Sequence, residues 1–374
     1  MMADGAALAL GFLLDQVLGD PPRWPHPVRW IGRLIPLLEP PLRRFCGARV
    51  GGIVLLAIVT GSTVCFTWGI LELAGSWHPW AWRAAATVLI YYGLAARSLA
   101  RETQSVLTPC AMGDLTEARK RLGGIVGRDT DALSEQEIQR ACIETVAENT
   151  TDGVVAPLFY AALAGPVGLW AYKAINTLDS MVGYRNARYV QFGWASARMD
   201  DLATYLPARI TYLLISLAAA LLYRRGGKAL RMGWRDGRKH PSPNAGWAEA
   251  AMAGALDVQL GGPSSYGGVV SPKAILGDSG QPLTPTKVRQ SIRVMLLTSW
   301  LALSLAVPCR AWTVRLTENK RRDWEQNSMD RTEYPVLPPG IPSSIPRSSV
   351  VTNDTADVSA TPNGHPAWSW PRTG

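Results

Sequence analysis

Residues 144–153 read ETVAENTTDG and stand immediately before an apolar block that begins at Val154. Glu144, Glu148 and Asp152 recur every four residues, so on a helix their carboxylates form one stripe. Like charges at that spacing repel, and here they approach a region that excludes water. A compensating cation is the natural solution, and Mg²⁺ carrying a phosphate ligand suits hard oxygen donors. A solvated acidic helix face explains a single stripe equally well, and recurrence is what separates the two readings. Four further polar clusters stand beside apolar blocks: Asp15, Asp20, His26 and Arg29; Asn176, Asp179, Ser180, Tyr184 and Arg185; Arg198, Asp200 and Asp201; Asp236, His240, Ser242, Asn244 and Glu249. Ionisable groups at membrane depth are costly and mark function by default. Asp20 before Pro21 and Asp236 before Gly237 also suit caps and turns.

The elements that must position these groups are apolar helices. The 374-residue chain is 47% hydrophobic and only 18% charged, with strongly apolar blocks set against a polar C-terminal stretch. Block 51–75 holds one ionisable residue, Glu72, and is long enough for a hydrocarbon layer of about 30 Å. Blocks 84–100, 154–171, 202–223 and 291–308 are shorter or carry an Arg. The expected fold class is therefore all-α, a polytopic helical membrane protein, with a large soluble helical protein as the bland alternative. At the N-terminus Asp4 replaces the basic start of a signal peptide, the apolar run at 6–14 is short and no small-residue cleavage site follows, so it reads as a retained interfacial or partly inserted helix. Asp114 opens an amphipathic helix, and Ser134 with Glu137 forms a capping box. From Arg310 the chain turns rich in Pro, Ser, Thr and charge, and residues 309–374 read as a disordered tail.

The net charge of +9 is concentrated in segments 23–49 and 224–239, both flanking apolar blocks. Positive-inside bias puts both on the cytoplasmic face, and no interleaved aromatic surface for nucleic acid accompanies them. Residues 101–152 and the loop 224–290 then share one side, which demands an even number of crossings between them. Either 154–171 and 202–223 both cross, or the chain dips in and returns at Gly165-Pro166, where a broken helix is tolerated inside protein. The five cysteines form no CxxC pair and read as packing residues. All four histidines precede proline, and no HExxH, GxxxxGK[ST] or GxGxxG pattern occurs. The run LGGPSSYGG at 260–268 is a plain loop in the simpler reading, and a set of backbone amides for a phosphate in the sharper one.

Six blocks, GDPPRWPHPVRWIGRLI, VGRDT, ETVAENTTDGVVAPLF, AYKAINTLDSMVGY, SARMDDLATYLPAR and SPNAGWAEAAMAGALDVQLGG, occur in the order that resembles the CbiB/CobD family of cobalamin-biosynthesis proteins, the adenosylcobinamide-phosphate synthases. The resemblance covers residues 5–307 and implies one integral membrane catalytic domain over 1–308, with 309–374 lacking a family counterpart. It implies an inner-membrane enzyme with a cytoplasmic active site. The reaction it implies joins a propionate carboxylate of adenosylcobyric acid to (R)-1-amino-2-propanol or its O-phosphate. A carboxylate does not acylate an amine unaided, so ATP and Mg²⁺ are expected, with activation through an acyl phosphate. Membrane lipid and other membrane-bound enzymes of corrinoid assembly are expected partners.

Residue chemistry and motif membership suggest roles beside that resemblance. Glu148, Asp152 and Asp179 are the expected Mg²⁺ ligands. Arg29, Arg185 and Arg198, with Asn176 and Asn244, are expected to hold phosphate and substrate. Asp200 or Asp201 is expected to accept the proton of the attacking ammonium, with His26 and His240 as alternatives. Two other readings keep the fold: a membrane regulator like the distantly similar AmpE, and a corrinoid transporter with a broken helix. The full set of polar motifs weighs against a regulatory relic, and the lack of a second copy of ETVAENTTDG weighs against paired transporter repeats.

Overall fold

The computed structural model describes residues 5–21 and 24–330. Helices α1 (Gly5–Leu18), α2 (Pro27–Cys46), α3 (Ala48–Trp77), α4 (Pro79–Gly93), α5 (Ala96–Ala111), α6 (Leu115–Gly123) and α7 (Glu135–Thr150) lead into a π-helical turn, Thr151–Val155. They are followed by α8 (Ala156–Val182), α9 (Trp194–Ala203), α10 (Tyr205–Tyr223), α11 (Gly226–Asp236), α12 (Ala245–Leu256) and α13 (Pro285–Asp330). Four short strands, β1 (Leu260–Gly261), β2 (Ser264–Tyr266), β3 (Val269–Ser271) and β4 (Ile275–Leu276), pair antiparallel as β1 with β4 and β2 with β3. Among the described residues four helical stretches are long and apolar enough to cross a membrane: Ala48–Trp77, Glu135–Val182, Tyr205–Tyr223 and Pro285–Trp324. The chain is a polytopic helical membrane protein.

The decisive local feature lies inside α8. Ala164 (φ −130°, ψ 17°) and Gly165 (φ 64°, ψ −156°) leave helical geometry, and Pro166 starts the next arm without needing a backbone donor. The chain folds back on itself there. Tyr160 stacks on Tyr172 with ring centroids 5.2 Å apart, and the Tyr172 hydroxyl lies 3.4 Å from Asp152 Oδ1. In an unbroken helix the 20 residues from Asp152 to Tyr172 would cover about 30 Å. Residues 156–182 therefore form a re-entrant hairpin, the second of the two solutions that crossing parity allows. Its tip is tied by α13: Arg310 Nη1 donates to the Leu163 carbonyl at 3.3 Å, and Thr313 Oγ1 donates to the Ala162 carbonyl at 3.1 Å. These bonds satisfy carbonyls orphaned where the first arm ends.

Two sequence expectations change. Block 84–100 is not one span, because Leu94 is extended and the Ala95 N–H leaves the helix to donate to the Gly153 carbonyl at 3.0 Å. That bond takes up a carbonyl of the π-helical turn. The change of character at Arg310 does not end order either, since α13 continues to Asp330. Residues 310–330 hold no Pro or Gly and carry four Arg and two Glu with single Ala, Leu, Lys, Gln and Met, all good helix formers, and the Pro- and Ser-rich composition starts later. The rest of the expected tail, 331–374, lies outside the described residues. The capping box at Ser134 and Glu137 and the Asp114 cap are both formed.

Beyond the hairpin the chain is fixed by Glu39 on α2, which accepts from Arg43 at 2.8 Å and from Arg188 at 3.2 Å. Helices α10, α11 and α12 pack as a group. Every α12 residue is buried, and a Cβ on Gly254 would come within 2.7 Å of the Ala229 backbone on α11. The β2–β3 hairpin is pinned to the loop before α7 by Asp129, which accepts from the amides of Gly267 (2.9 Å) and Gly268 (2.8 Å) and from the Ser265 hydroxyl (2.6 Å). The glycine-rich amides at 267–268 are thus already engaged by a carboxylate, which favours the plain-loop reading for them.

Because the hairpin returns the chain to its starting side, single cysteines at Asp131 and Ser180 in a cysteine-free background should react with an impermeant reagent from the same face of the membrane. Both positions are exposed. Labelling from opposite faces contradicts the hairpin. Ser196, fully buried, is unsuited to such labelling.

Candidate functional site

At the open end of the hairpin its two arms bring ETVAENTTDG and NTLDSMVGY face to face. They share a cavity of two contiguous lobes, about 440 Å³ and 290 Å³. Glu148, Asp152, Asp179 and Gly183 belong to the walls of both lobes. The three carboxylates expected to hold a metal therefore meet at the junction, although they are separated by up to 31 positions in sequence. The π-helical turn has a local part in this. Asp152 lies within it and so leaves the α-helical period that relates Glu144 to Glu148, and such turns recur at functional sites.

The smaller lobe carries Arg185, Asp200, Asp201, His240 and Asn244. Asp200 on α9 accepts from Asn176 Nδ2 at 3.3 Å and from the Thr204 hydroxyl at 3.5 Å. Burial, reinforced by the neighbouring Asp179 charge, pushes the Asp200 carboxyl up to about 7. Burial also raises the Asp201 carboxyl, against the pull of Arg198 and Arg185. Asn244 is a brace between helices: it donates to the Asp201 carbonyl at 2.8 Å and accepts from Arg209 at 2.7 Å.

His240 has a fixed orientation. Its Nδ1 accepts from the Ser242 amide at 3.1 Å, so in the neutral ring the proton sits on Nε2, which lies 3.7 Å from Glu249 Oε1. Burial, with Lys273 nearby, depresses its pKa to about 4. A neutral ring whose only free nitrogen already bears a proton is a donor. The expectation that His240 takes up a proton is corrected on that ground.

The larger lobe contains groups that sequence reasoning passed over, Arg128 and Lys273 among them, beside Glu144 and Glu249 from the clusters it named. Arg128, from VGRDT, pairs with Glu144, which also accepts from the Gly261 amide at 2.8 Å. Lys273 and Tyr266 enter from the β-strand segment, with Lys273 Nζ 5.4 Å from the Tyr266 ring centroid. Glu249 enters from α12. The basic charge in VGRDT was a signal present in the sequence, whereas Lys273 in a polar loop carried none.

Three expected site residues stand elsewhere. His26 is the N-cap of α2, its Nδ1 accepting from the Val28 amide at 3.3 Å, with Asp20 3.5 Å from Nε2. Arg29 lies on α2 and lines neither lobe. Arg198 sits on the exposed side of α9 and pairs with Asp201 at 3.6 Å, one turn along the same helix. Each was placed by its position in a motif, and none of the three lines either lobe.

A helical membrane protein with a re-entrant hairpin and an acid-lined cavity at its open end is the class that fold and site define. The chain belongs to the CobD/CbiB protein family, whose model matches residues 8–295. It is 48% identical over 310 residues to the cobalamin biosynthesis protein CbiB of Salmonella arizonae, covering 82% of this chain and 97% of that one. It is 47% identical over 312 residues to the cobalamin biosynthesis protein CobD of Klebsiella pneumoniae, covering 82% and 98%. A CobD protein of Citrobacter koseri is 46% identical over 312 residues, covering 82% and 98%. No solved structure matches the chain. Its role lies in cobalamin biosynthesis.

His240 supplies a pH test of the site's packing. A buried imidazole with a depressed pKa contributes stability that is complete above the unfolded value of 6.5 and is lost as pH falls toward about 4. The loss amounts to roughly 3 kcal/mol at most. Between pH 7 and pH 5 the unfolding midpoint in detergent should fall further in the native protein than in His240→Asn; an equal fall in both contradicts the buried, neutral ring.

Proposed function

We propose that this protein is an amide synthase of the cytoplasmic membrane, joining the propionate carboxylate of adenosylcobyric acid to (R)-1-amino-2-propanol or its O-phosphate in an ATP- and Mg²⁺-dependent reaction. The observation that carries the reading is the carboxylate wall shared by both lobes. A site that joins two molecules needs two adjoining compartments and a charged junction between them, and the cavity supplies both.

The donor set fits Mg²⁺ by its chemistry. Glu148, Asp152 and Asp179 are hard oxygen donors opening onto a space wide enough for water and phosphate. Among the described residues no three such side chains are already drawn into a closed metal cluster. Mg²⁺ held mainly by water and phosphate, with one or two carboxylates, requires none. ATP supplies the activation of the propionate carboxylate when bound. The chain's own residues do the remainder. Arg185, in the wall of the smaller lobe, would hold phosphate oxygens there. Asn176 and Thr204 orient Asp200, whose carboxylate takes the proton released as the amine attacks. The Asn244 brace holds α9 against α12.

The corrin macrocycle is far larger than either lobe, so the propionate arm enters while the ring stays at the mouth. Membrane placement follows the same logic, with the basic segments 23–49 and 224–239 putting the open end of the hairpin toward the cytoplasm.

Membranes carrying the protein should convert adenosylcobyric acid to adenosylcobinamide or its phosphate when given the amine, ATP and Mg²⁺. Asp152→Asn and Asp179→Asn should each lower that rate by at least about 100-fold while membrane insertion is retained. Full activity in either variant removes that residue from the metal site. Because a proton acceptor must be ionised, the native rate should fall as pH drops through about 7, the value to which Asp200 is raised.

A further inference from the structure

The carboxylates lining the cavity are not equally engaged. Glu144 is neutralised by Arg128 and accepts the Gly261 amide. Asp152 faces the Tyr172 hydroxyl, Asp200 is held by Asn176 and Thr204, and Asp201 pairs with Arg198. Glu148 and Asp179 sit at the junction of the lobes. Glu249 differs from all of these. Its side chain is only 5% exposed, it lines the larger lobe alone, and the group that faces it is the neutral ring of His240, with Nε2 3.7 Å from its Oε1. It rises from a helix that is otherwise alanine, glycine and other apolar residues, every one buried. A carboxylate placed there, with its oxygens open only to a cavity, is costly unless a cation completes it.

The larger lobe also indicates which cation. The carboxylates around Glu249 are Glu144 and Glu148, and the fixed cations facing them are Arg128 and Lys273. With Asp152 and Asp179 at the junction the wall of the larger lobe holds five carboxylates against these two cations, three negative charges, of which Mg²⁺ at the junction would balance two and one monovalent cation the third. Lys273 shows that the surroundings accept a primary ammonium, since its own Nζ stands over the Tyr266 ring within the field of Glu249 and Glu144. A hydrated divalent ion is served better at the junction, where Glu148, Asp152 and Asp179 converge.

We propose that Glu249 is the ammonium-binding residue of the amine substrate, which makes the larger lobe the amine compartment and the smaller lobe the carboxylate compartment. This assignment rests on the amide-synthase reading and refines it. Glu249 accepts charge-assisted hydrogen bonds from the ammonium and takes the first of its protons, which frees the nitrogen lone pair, while Asp200 takes the second as the amide forms; the Nε2–H of His240 faces the Glu249 carboxylate and fixes its direction.

The test is steady-state kinetics of Glu249→Gln beside the native protein in detergent, with the unfolding midpoint recorded for both. Removing one charge from a hydrogen-bonded ion pair should raise KM for the amine on the order of 10-fold or more, leaving KM for the corrinoid and the half-saturating Mg²⁺ concentration unchanged. Glu249→Asp, which keeps the charge one carbon back, should recover part of the loss. As a second arm, 1-amino-2-propanol should compete with labelled amine on the native protein, whereas 1,2-propanediol, its neutral isostere, should not. An unchanged amine KM in Glu249→Gln, a rise in the Mg²⁺ requirement instead, or equal competition by the diol overturns the assignment. Absence of amide product with the native protein and any amine defeats the amide-synthase reading itself, which is a separate outcome.

Discussion

The fold of this protein depends on one interrupted helix. Without the break at Ala164 and Gly165, the acidic residues that end α7 and the NTLDS segment that ends α8 would stand at opposite ends of a long rod. The left-handed φ of Gly165 makes the reversal accessible without Cβ strain. Pro166 then opens the second arm, and Arg310 and Thr313 hold the carbonyls that the reversal strands. The stacked pair of Tyr160 and Tyr172 closes the arms against each other. A re-entrant element is tolerated inside a membrane protein only where its irregular backbone is satisfied by protein, and α13 satisfies it here.

Folding the helix back concentrates charge. Seven carboxylates line the two lobes: Glu144, Glu148, Asp152, Asp179, Asp200, Asp201 and Glu249. Arg128, Arg185 and Lys273 are the opposing cations in those walls. Such an excess is held in place because α12, α9 and the β-strand segment are anchored by hydrogen bonds that do not engage those carboxylate side chains. The Asp129 clamp fixes the strands, and the Asn244 brace fixes α9. The geometry resembles a frame built of ordinary packing that confines a cluster of like charges until cationic ligands arrive.

Much of this was legible in the residues themselves. The four-residue period of Glu144, Glu148 and Asp152 marked the helix face, Gly165-Pro166 marked the break, and crossing parity limited the topology to two forms. The capping box at Ser134 followed directly from local chemistry. The misses share a cause: a motif gives a residue's neighbourhood in sequence and leaves its helical phase open. His26 lies inside a motif yet serves as a cap, and Arg198 pairs with Asp201 without itself lining the cavity. Lys273, in contrast, belongs to no pattern and reaches the cavity because distant strands pair around it. The order beyond Arg310 was hidden by averaging, since a helix-forming stretch was read together with the Pro- and Ser-rich composition that follows.

The most direct test of the hairpin is a distance across its open end. Spin labels on cysteines at positions 149 and 180, both in the wall of the larger lobe, should give a pulsed electron-resonance distribution centred below about 25 Å once label arms are included. An unbroken helix would hold those 31 residues about 46 Å apart. A distribution centred near the longer value would show that the arms do not fold together, and the shared carboxylate wall would not exist.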